Sequence, residues 1–391
     1  MSELLDALDL PGRKRLAIVN DGGRWSALPQ VHNIRASAGD GASEALLELL
    51  TQGSQVLGRF TVHSWAARIA AGERAVGVDQ TNESVIVGDS AVVKWSTHLE
   101  TGPDPAPSRI GVLRDAGFTG MPTPWGLVTW RSPAGDEILV ASVDEYLKGA
   151  VDGWTWAPEL ITAATQSGNH TQLIEAATSV GTLVASMHTA LAATTSTATA
   201  QDCSRWREDA LHTLDVACTA GESASIGFAR EHRHTIAALF DELGGLAGTS
   251  VIDGHGDLHV GQVLRSADRF VVTDFDGNPV LSPQQRILAI PTVLDVAGMV
   301  QSLTHSGIVA RKYTELDTDA LADTDAAARR AFLAAYLTNP DARALYDPAP
   351  LRAFRVQQIL REIIYAAQYL PRWMYVPDAA LPALLEERTA P

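Results

Sequence analysis

The spacing of apolar and polar positions changes character near residue 150. Before that point, apolar runs of strand length alternate with clusters of turn-forming residues. Arg15–Asn20 and Ser54–Val62 are two such runs, and the turns DGG at 21–23 and SAGDGAS at 37–43 punctuate the chain around them. Val85–Val87, the turn Gly88-Asp89 and Ala91–Trp95 predict a β-hairpin. Leu127–Trp130 and Ile138–Ala141 predict two further strands, and Arg109–Ala116 a short helix. The run GPDPAPS at 102–108 is expected to be a loop, because prolines remove backbone donors. After residue 150 the apolar period lengthens to that of amphipathic helices over Leu173–Leu191, Arg205–Val216, Ala326–Leu337 and Leu351–Leu370. Strand signals return strongly only around 250–280. The pattern predicts an α+β chain in three parts: an N-terminal cap subdomain over 1–75, a small β-rich lobe over 76–150, and a large mainly helical C-terminal lobe over 151–391.

Composition narrows this picture. With 391 residues, 46% of them hydrophobic, the chain can bury about three quarters of its unfolded surface without staples. Cys203 and Cys218 make no metal or disulfide framework and read as free thiols of a reducing compartment. The N-terminus lacks a basic start followed by an apolar run, and no apolar stretch reaches about 18 residues, so neither a secretion signal nor a membrane span is expected. The expected location is cytoplasmic. A net charge of −16 repels nucleic acid, and it obliges any nucleotide site to carry its own cation. Lysine is scarce (Lys14, Lys94, Lys148 and Lys312), which makes Lys94, set at the end of an apolar strand, conspicuous.

The chemistry concentrates in His255-Gly-Asp-Leu-His-Val-Gly-Gln262 and in Thr273-Asp-Phe-Asp-Gly277. Phosphoryl transfer needs an acceptor hydroxyl held in line, a carboxylate to take its proton, and oxygen ligands for magnesium. Asp257, Gln262 five positions later and Asp274 after the next apolar strand have the spacing of a kinase catalytic loop followed by its metal-binding Asp-Phe. The expected roles are Asp257 as base and Gln262 and Asp274 as magnesium ligands. Each residue alone reads as a turn, surface or capping residue; the three together at this spacing do not. His255 reads as a loop-bracing residue, and His259 as either surface or substrate-side. Lys94 is expected to bind the phosphates of ATP. The turn Asp79–Ser84 is not glycine-rich, but offers amides and the hydroxyls or amide of Thr81, Asn82 and Ser84.

With these residues placed, the chain resembles the maltokinase-like branch of the aminoglycoside phosphotransferase superfamily, whose fold is that of the eukaryotic protein kinases. The stretches that carry the likeness are VGVDQTNESVIVGDSAVVKW, VDGW at 151–154, GTLVASMHTALA, HGDLHVGQVLR, TDFDGNP and DVAGM at 295–299. The resemblance implies a bilobal kinase-like fold, ATP and Mg2+, an adenine site near Val143, Asp144, Glu145 and Tyr146, and a structural role for Asp295 in bracing the catalytic loop. One departure stands out: the family places a glutamate on the first helix of the small lobe to pair the strand lysine, whereas this region reads GPDPAPSRIGVL. Asp104 or Glu100 would have to substitute, or the pairing is absent or conditional.

The segment QQILREIIYAAQYLPRWMYVPDAALPALL is similar to the actinobacterial-type glucosamine kinases, a sister group of the maltokinases. Gln358, Arg361, Tyr365 and Gln368 recur on one polar helix stripe with Glu362 beside it, and Trp373 follows. Aromatic rings suit the C–H face of a sugar, and planar polar groups suit its hydroxyls. A carboxylate such as Glu362 would pair with a 2-ammonium, which a neutral sugar lacks. Asp257, Arg361, Glu362, Tyr365, Gln368 and Trp373 are therefore the expected sugar contacts. The expectation is phosphorylation of glucosamine to its 6-phosphate by a monomer or homodimer. The alternatives are a maltokinase making maltose 1-phosphate, an aminoglycoside-type phosphotransferase, and a degenerate kinase fold that only binds.

Overall fold

A computed structural model of the chain describes residues 3–76, 82–267 and 269–387. Its contacts divide it into two compact units: Met1–Ala150 with Thr273–Leu288, and Val151–Val272 with Ala289–Pro391.

In the first unit, β1 (Glu3–Leu10), β2 (Lys14–Asp21), β3 (Arg24–Val31) and β4 (Ile34–Arg35) form an antiparallel meander in that order. The helix α1 (Ala42–Leu50) follows, capped from a distance. The carboxylate of Glu73 accepts the N–H groups of Gly39, Gly41, Ser43 and Glu44 at 2.8, 2.9, 2.7 and 3.0 Å. It thus satisfies orphan donors and sets negative charge at the positive end of the helix.

A second sheet contains β5 (Gln55–Leu57), β6 (Phe60–Ser64), β7 (Glu73–Ala75), β8 (Glu83–Val87), β9 (Ala91–Trp95), β10 (Pro124–Arg131) and β11 (Glu137–Glu145), ordered β5-β6-β10-β11-β9-β8-β7. It draws β5, β6 and β7 from before residue 76, so strands on both sides of that position share one sheet. One face supplies Val85, Val87, Val93, Trp95, Ala141 and Val143 to a core shared with Leu46, Phe60 and Trp130. In β9 the alternation of buried and half-buried positions turns Val92 and Lys94 to the other face.

The Pro-rich run at 102–108 is not all loop. The helix α2 (Ala106–Asp115) begins inside it, with Pro105 as cap and Pro107 in the first turn. First-turn N–H groups have no intrahelical partner, so proline there removes no helical bond.

The second unit is mainly helical. It contains α3 (Gly153–Ser167), α4 (Thr171–Ala190), α5 (Ala200–Thr219), α6 (Ala224–Glu231) and α7 (Arg233–Asp241). Two short antiparallel pairs interrupt them: β12 (Ser196–Thr197) with β13 (Ser250–Val251), and β14 (Val263–Ser266) with β15 (Arg269–Val272). The short α8 (Pro283–Arg286) lies in the segment belonging to the first unit. Then come α9 (Thr292–Tyr313), α10 (Thr318–Thr338), α11 (Pro340–Ala344), α12 (Leu351–Gln368) and α13 (Tyr375–Glu386). Helix α9 is the centre of this unit, touching α3, α10, α12 and α13. Gly181 lets α4 approach the Phe332 carbonyl of α10 where a side chain would not fit. Among the described residues no helix is long and apolar enough to cross a membrane.

Candidate active site

The loop between β13 and β14 carries Asp257. Leu258 and Val260 are buried, while Asp257, His259 and Gln262 are half-exposed. Helix α9 holds this loop through residues spaced to share a face. Asp295, fully buried, accepts the N–H groups of His255 and Gly256, both at 2.8 Å. Gly298 leaves room for the Leu258 carbonyl, which a Cβ would overlap. Ser302 accepts the Val260 N–H at 2.8 Å. Burial pushes the Asp295 carboxyl up, but His188, which reaches it at 3.3 Å, the nearby His255 and the Gly256 N–H outweigh this and hold it below its ordinary value. Gly256 has φ 81, a left-handed turn that suits glycine and brings its N–H round to Asp295.

The start of α3 grips the same loop from another side, and gives VDGW a physical meaning. Val151 and Arg265 exchange backbone hydrogen bonds of 2.9 and 2.8 Å. A side chain at Gly153 would overlap the Val260 carbonyl. Trp154 lies over Gly261, with its ring 5.8 Å from that of His259 and 5.0 Å, edge-on, from that of Trp373. Trp156 donates its indole N–H to the Val263 carbonyl at 2.9 Å.

Around the loop lies a polar cluster supplied by α12 and its neighbours. Arg361 is buried, which lowers its pKa, while the charges of Asp257 and of Asp209 on α5 oppose that shift. Burial raises the Asp209 carboxyl, with Arg361 foremost among the charges that counter it. Glu362 meets His305 Nδ1 at 3.1 Å, and accepts from Gln358 Nε2 and Trp373 Nε1, both at 3.4 Å. Burial pushes Glu362 up, but His305 and the Trp373 N–H more than offset this and keep it below its usual range. Asp257 and Arg361, and Glu362 and Trp373, thus lie near one another within the second unit. Tyr365 and Gln368 stand apart from this cluster. Both are exposed, and the Tyr365 ring packs beside Tyr369 at 5.5 Å. Gln262 has its amide nitrogen 3.5 Å from His259 Nε2. Asp209, Gln301 and His305 were not singled out in the sequence, where a polar residue inside a helix was their only signal, and Trp154 was quoted only as part of VDGW.

In the first unit, Lys94 is paired across the sheet with Ser84 on β8 and Ser142 on β11. Ser84 is buried and its hydroxyl has no partner among the described residues, so an acceptor or donor from a ligand would satisfy it. Asp144 shares this face. Burial raises its carboxyl to about 6, while Lys94 and the Ser142 hydroxyl pull it down. Tyr146 has the Arg74 guanidinium over its ring at 5.1 Å. Asn82 lines a cavity of about 450 Å3 with Arg35, Ser37, Thr97 and His98. Thr81 lies outside the described residues.

The missing glutamate has a clear outcome. Glu100 pairs with Arg286, and Asp104 accepts the backbone N–H groups of Ala106 and Leu139 at 3.0 and 3.3 Å. Helix α2 instead sends the buried Arg109 to the carbonyls of Phe275 and Arg286, at 3.0 and 2.7 Å. Asp144 and Asp276 both feel the charge of Lys94. Asp274 is exposed with φ 68, a left-handed conformation that aspartate tolerates, and Phe275 after it is buried. Asp276 is raised to about 7, first by burial and then by Asp274 and Asp104. Mutual repulsion among these acids is the condition that a cation relieves, and carboxylate and amide oxygens are hard donors of the kind magnesium takes. Among the described residues no three His, Cys, Asp or Glu side chains group where they could hold a metal ion.

No family model matches the chain. It is 56% identical over 397 residues to a glucosamine kinase of Mycolicibacterium smegmatis (strain ATCC 700084 / mc(2)155), covering 99% of both chains. It is 42% identical over 405 residues to a glucosamine kinase of Streptacidiphilus jiangxiensis, covering 98% of this chain and 92% of that one. A solved glucosamine kinase in complex with glucosamine, ADP and inorganic phosphate matches with a TM-score of 0.87 at 39% identity, over 98% of this chain and 94% of that one. The fold is that of a kinase-like phosphotransferase. The chain belongs to the glucosamine kinase family.

Proposed function

We propose that this chain transfers the terminal phosphoryl group of ATP to the 6-hydroxyl of glucosamine. The hydroxyl oxygen forms the new bond to phosphorus, the bond from that phosphorus to the ADP oxygen breaks, and the hydroxyl proton passes to Asp257. What supports this most is that the full-length likeness to glucosamine kinases coincides with a loop carboxylate, Asp257, lying in one unit with the carboxylate Glu362 and the ring of Trp373. Glu362 would take the 2-ammonium, Trp373 and Trp154 would face the sugar ring, and Arg361 would orient Asp257 and a sugar hydroxyl. Lys94 and Ser84 would hold phosphates, and the strand end at Asp144–Tyr146 would receive the adenine. Gln262 and Asp274 would hold magnesium, which when bound neutralises phosphate charge. Tyr365 and Gln368 are assigned to the outer rim of the sugar site.

The test is ATP consumption with glucosamine, glucose, N-acetylglucosamine, maltose and kanamycin, with the product's phosphorylated position read by NMR. A preference for glucosamine over glucose is expected. Equal rates would remove Glu362 from its role, and phosphate on any other position would refute the 6-hydroxyl.

A further inference from the structure

Helix α9 carries a second set of side chains beyond those that hold the catalytic loop, and they reach Glu362. The two N–H groups that donate to that carboxylate, those of Gln358 and Trp373, are uncharged, while His305 Nδ1 stands 3.1 Å from it outside hydrogen-bond geometry. Whether the negative charge of Glu362 is cancelled by them therefore depends on His305, which is fully buried. His259 also acts on Glu362, from the loop side.

The protonation of His305 follows from what stands behind it. Its Nε2 lies 2.9 Å from Gln301 Nε2. The other end of that amide, Gln301 Oε1, accepts from Arg355 Nε at 3.0 Å. Arginine offers donors only, so the Gln301 amide cannot flip without setting its NH2 against the guanidinium. Its NH2 must then face His305 Nε2, which is consequently the lone-pair nitrogen. The single ring proton sits on Nδ1, 3.1 Å from Glu362 Oε1. An imidazolium would place two donors nose to nose at Nε2. Arg355 is itself fixed by Glu387 at 2.8 Å, which also binds Arg329 at 2.7 Å.

We infer that Arg355 and Gln301 hold His305 as the neutral Nδ1–H tautomer, making it a specificity-determining positioning residue that stands against Glu362 without cancelling its charge. The inference rests on the reading that Glu362 receives the 2-ammonium. A carboxylate paired with an imidazolium would attract an ammonium no better than it attracts a hydroxyl. One oriented by neutral donors keeps its full preference for the cation.

Gln301→Glu tests this. It sets an acceptor against Nε2 and recruits a second proton to His305. The expected result is a KM for glucosamine raised about tenfold, glucose nearly unaffected and the KM for ATP unchanged. His305→Asn, which keeps a neutral N–H donor, should retain the preference for glucosamine. In 15N spectra of the wild type, His305 should show one protonated ring nitrogen, Nδ1, and in Gln301→Glu it should show two. A wild-type imidazolium or Nε2–H tautomer would overturn the inference whether or not either variant folds. If Glu362→Gln abolishes the preference and Gln301→Glu leaves it whole, the inference alone fails. If Glu362→Gln leaves it whole, the amine contact fails and takes the inference with it.

Discussion

Asp257 and Asp295 serve the same loop, and their surroundings assign them different work. Asp257 is half-exposed beside the charge of Arg361, and on the proposed reading it receives the substrate hydroxyl. Asp257→Ala should lower kcat by at least about 100-fold, the lower range for losing a general base, while ADP binding measured by calorimetry persists. Asp295 is wholly buried and bonded to backbone N–H groups, so its loss should register first in stability. Because its folded pKa is depressed, the unfolded chain takes up the proton at higher pH than the folded one. The stability it contributes is complete above the unfolded value, about 3.9, and is lost as pH falls from there toward the folded value. Asp295→Asn should cost about 3 kcal/mol at neutral pH and flatten the acid limb of the stability curve, measured by denaturant titration at several pH values. An acid limb as steep as that of the wild type would show that other groups carry it.

At the scale of elements, what the sequence disclosed depended on how each helix is buried. Amphipathic α4, α5, α10 and α12 were legible from the apolar period, because each keeps a polar face. Helix α9 was not. It is buried on nearly every side, and its polar members Gln301, Ser302 and His305 are buried with the rest, so no period distinguishes its faces. The Asp257 loop drew notice as a motif, but its support from Gly298 and Ser302 did not, because long-range packing leaves no local spacing to read. Helix α2 was half-legible: proline hid its start, and Arg109 gave no hint that it binds two carbonyls 166 and 177 positions away. The glycines test this account. At Gly153, Ala would push the start of α3 off the Val260 carbonyl, and at Gly298, Ala would push α9 off that of Leu258. Each should destabilise by about 1–3 kcal/mol, as overpacking does. Each should also lower kcat more than it raises the KM for ATP, since the displaced backbone carries Asp257. An unchanged kcat in a folded Gly153→Ala enzyme would show that the α3 grip does not position the loop.

For the molecule as a whole, the surplus of acidic side chains acts on the two substrates with opposite sign. The net charge of −16 lets the field of the protein attract the glucosammonium cation and repel the nucleotide anion. On the proposed reading Lys94 would answer that repulsion only locally, and Asp144 and Asp276 share its field. Salt separates the long-range part from the local part. Raising ionic strength from about 0.01 to about 0.15 M shortens the screening length from about 30 to about 8 Å, which removes the summed surface field but leaves buried contacts nearly intact. The KM for glucosamine should therefore rise with salt while the KM for ATP falls or holds, at constant magnesium and with an inert salt. On the proposed reading, the residual preference for glucosamine over glucose at high salt then measures the half-buried carboxylate Glu362, because a neutral sugar never felt the surface field. If that preference vanished with salt, amine selection would belong to the surface of the molecule and not to Glu362.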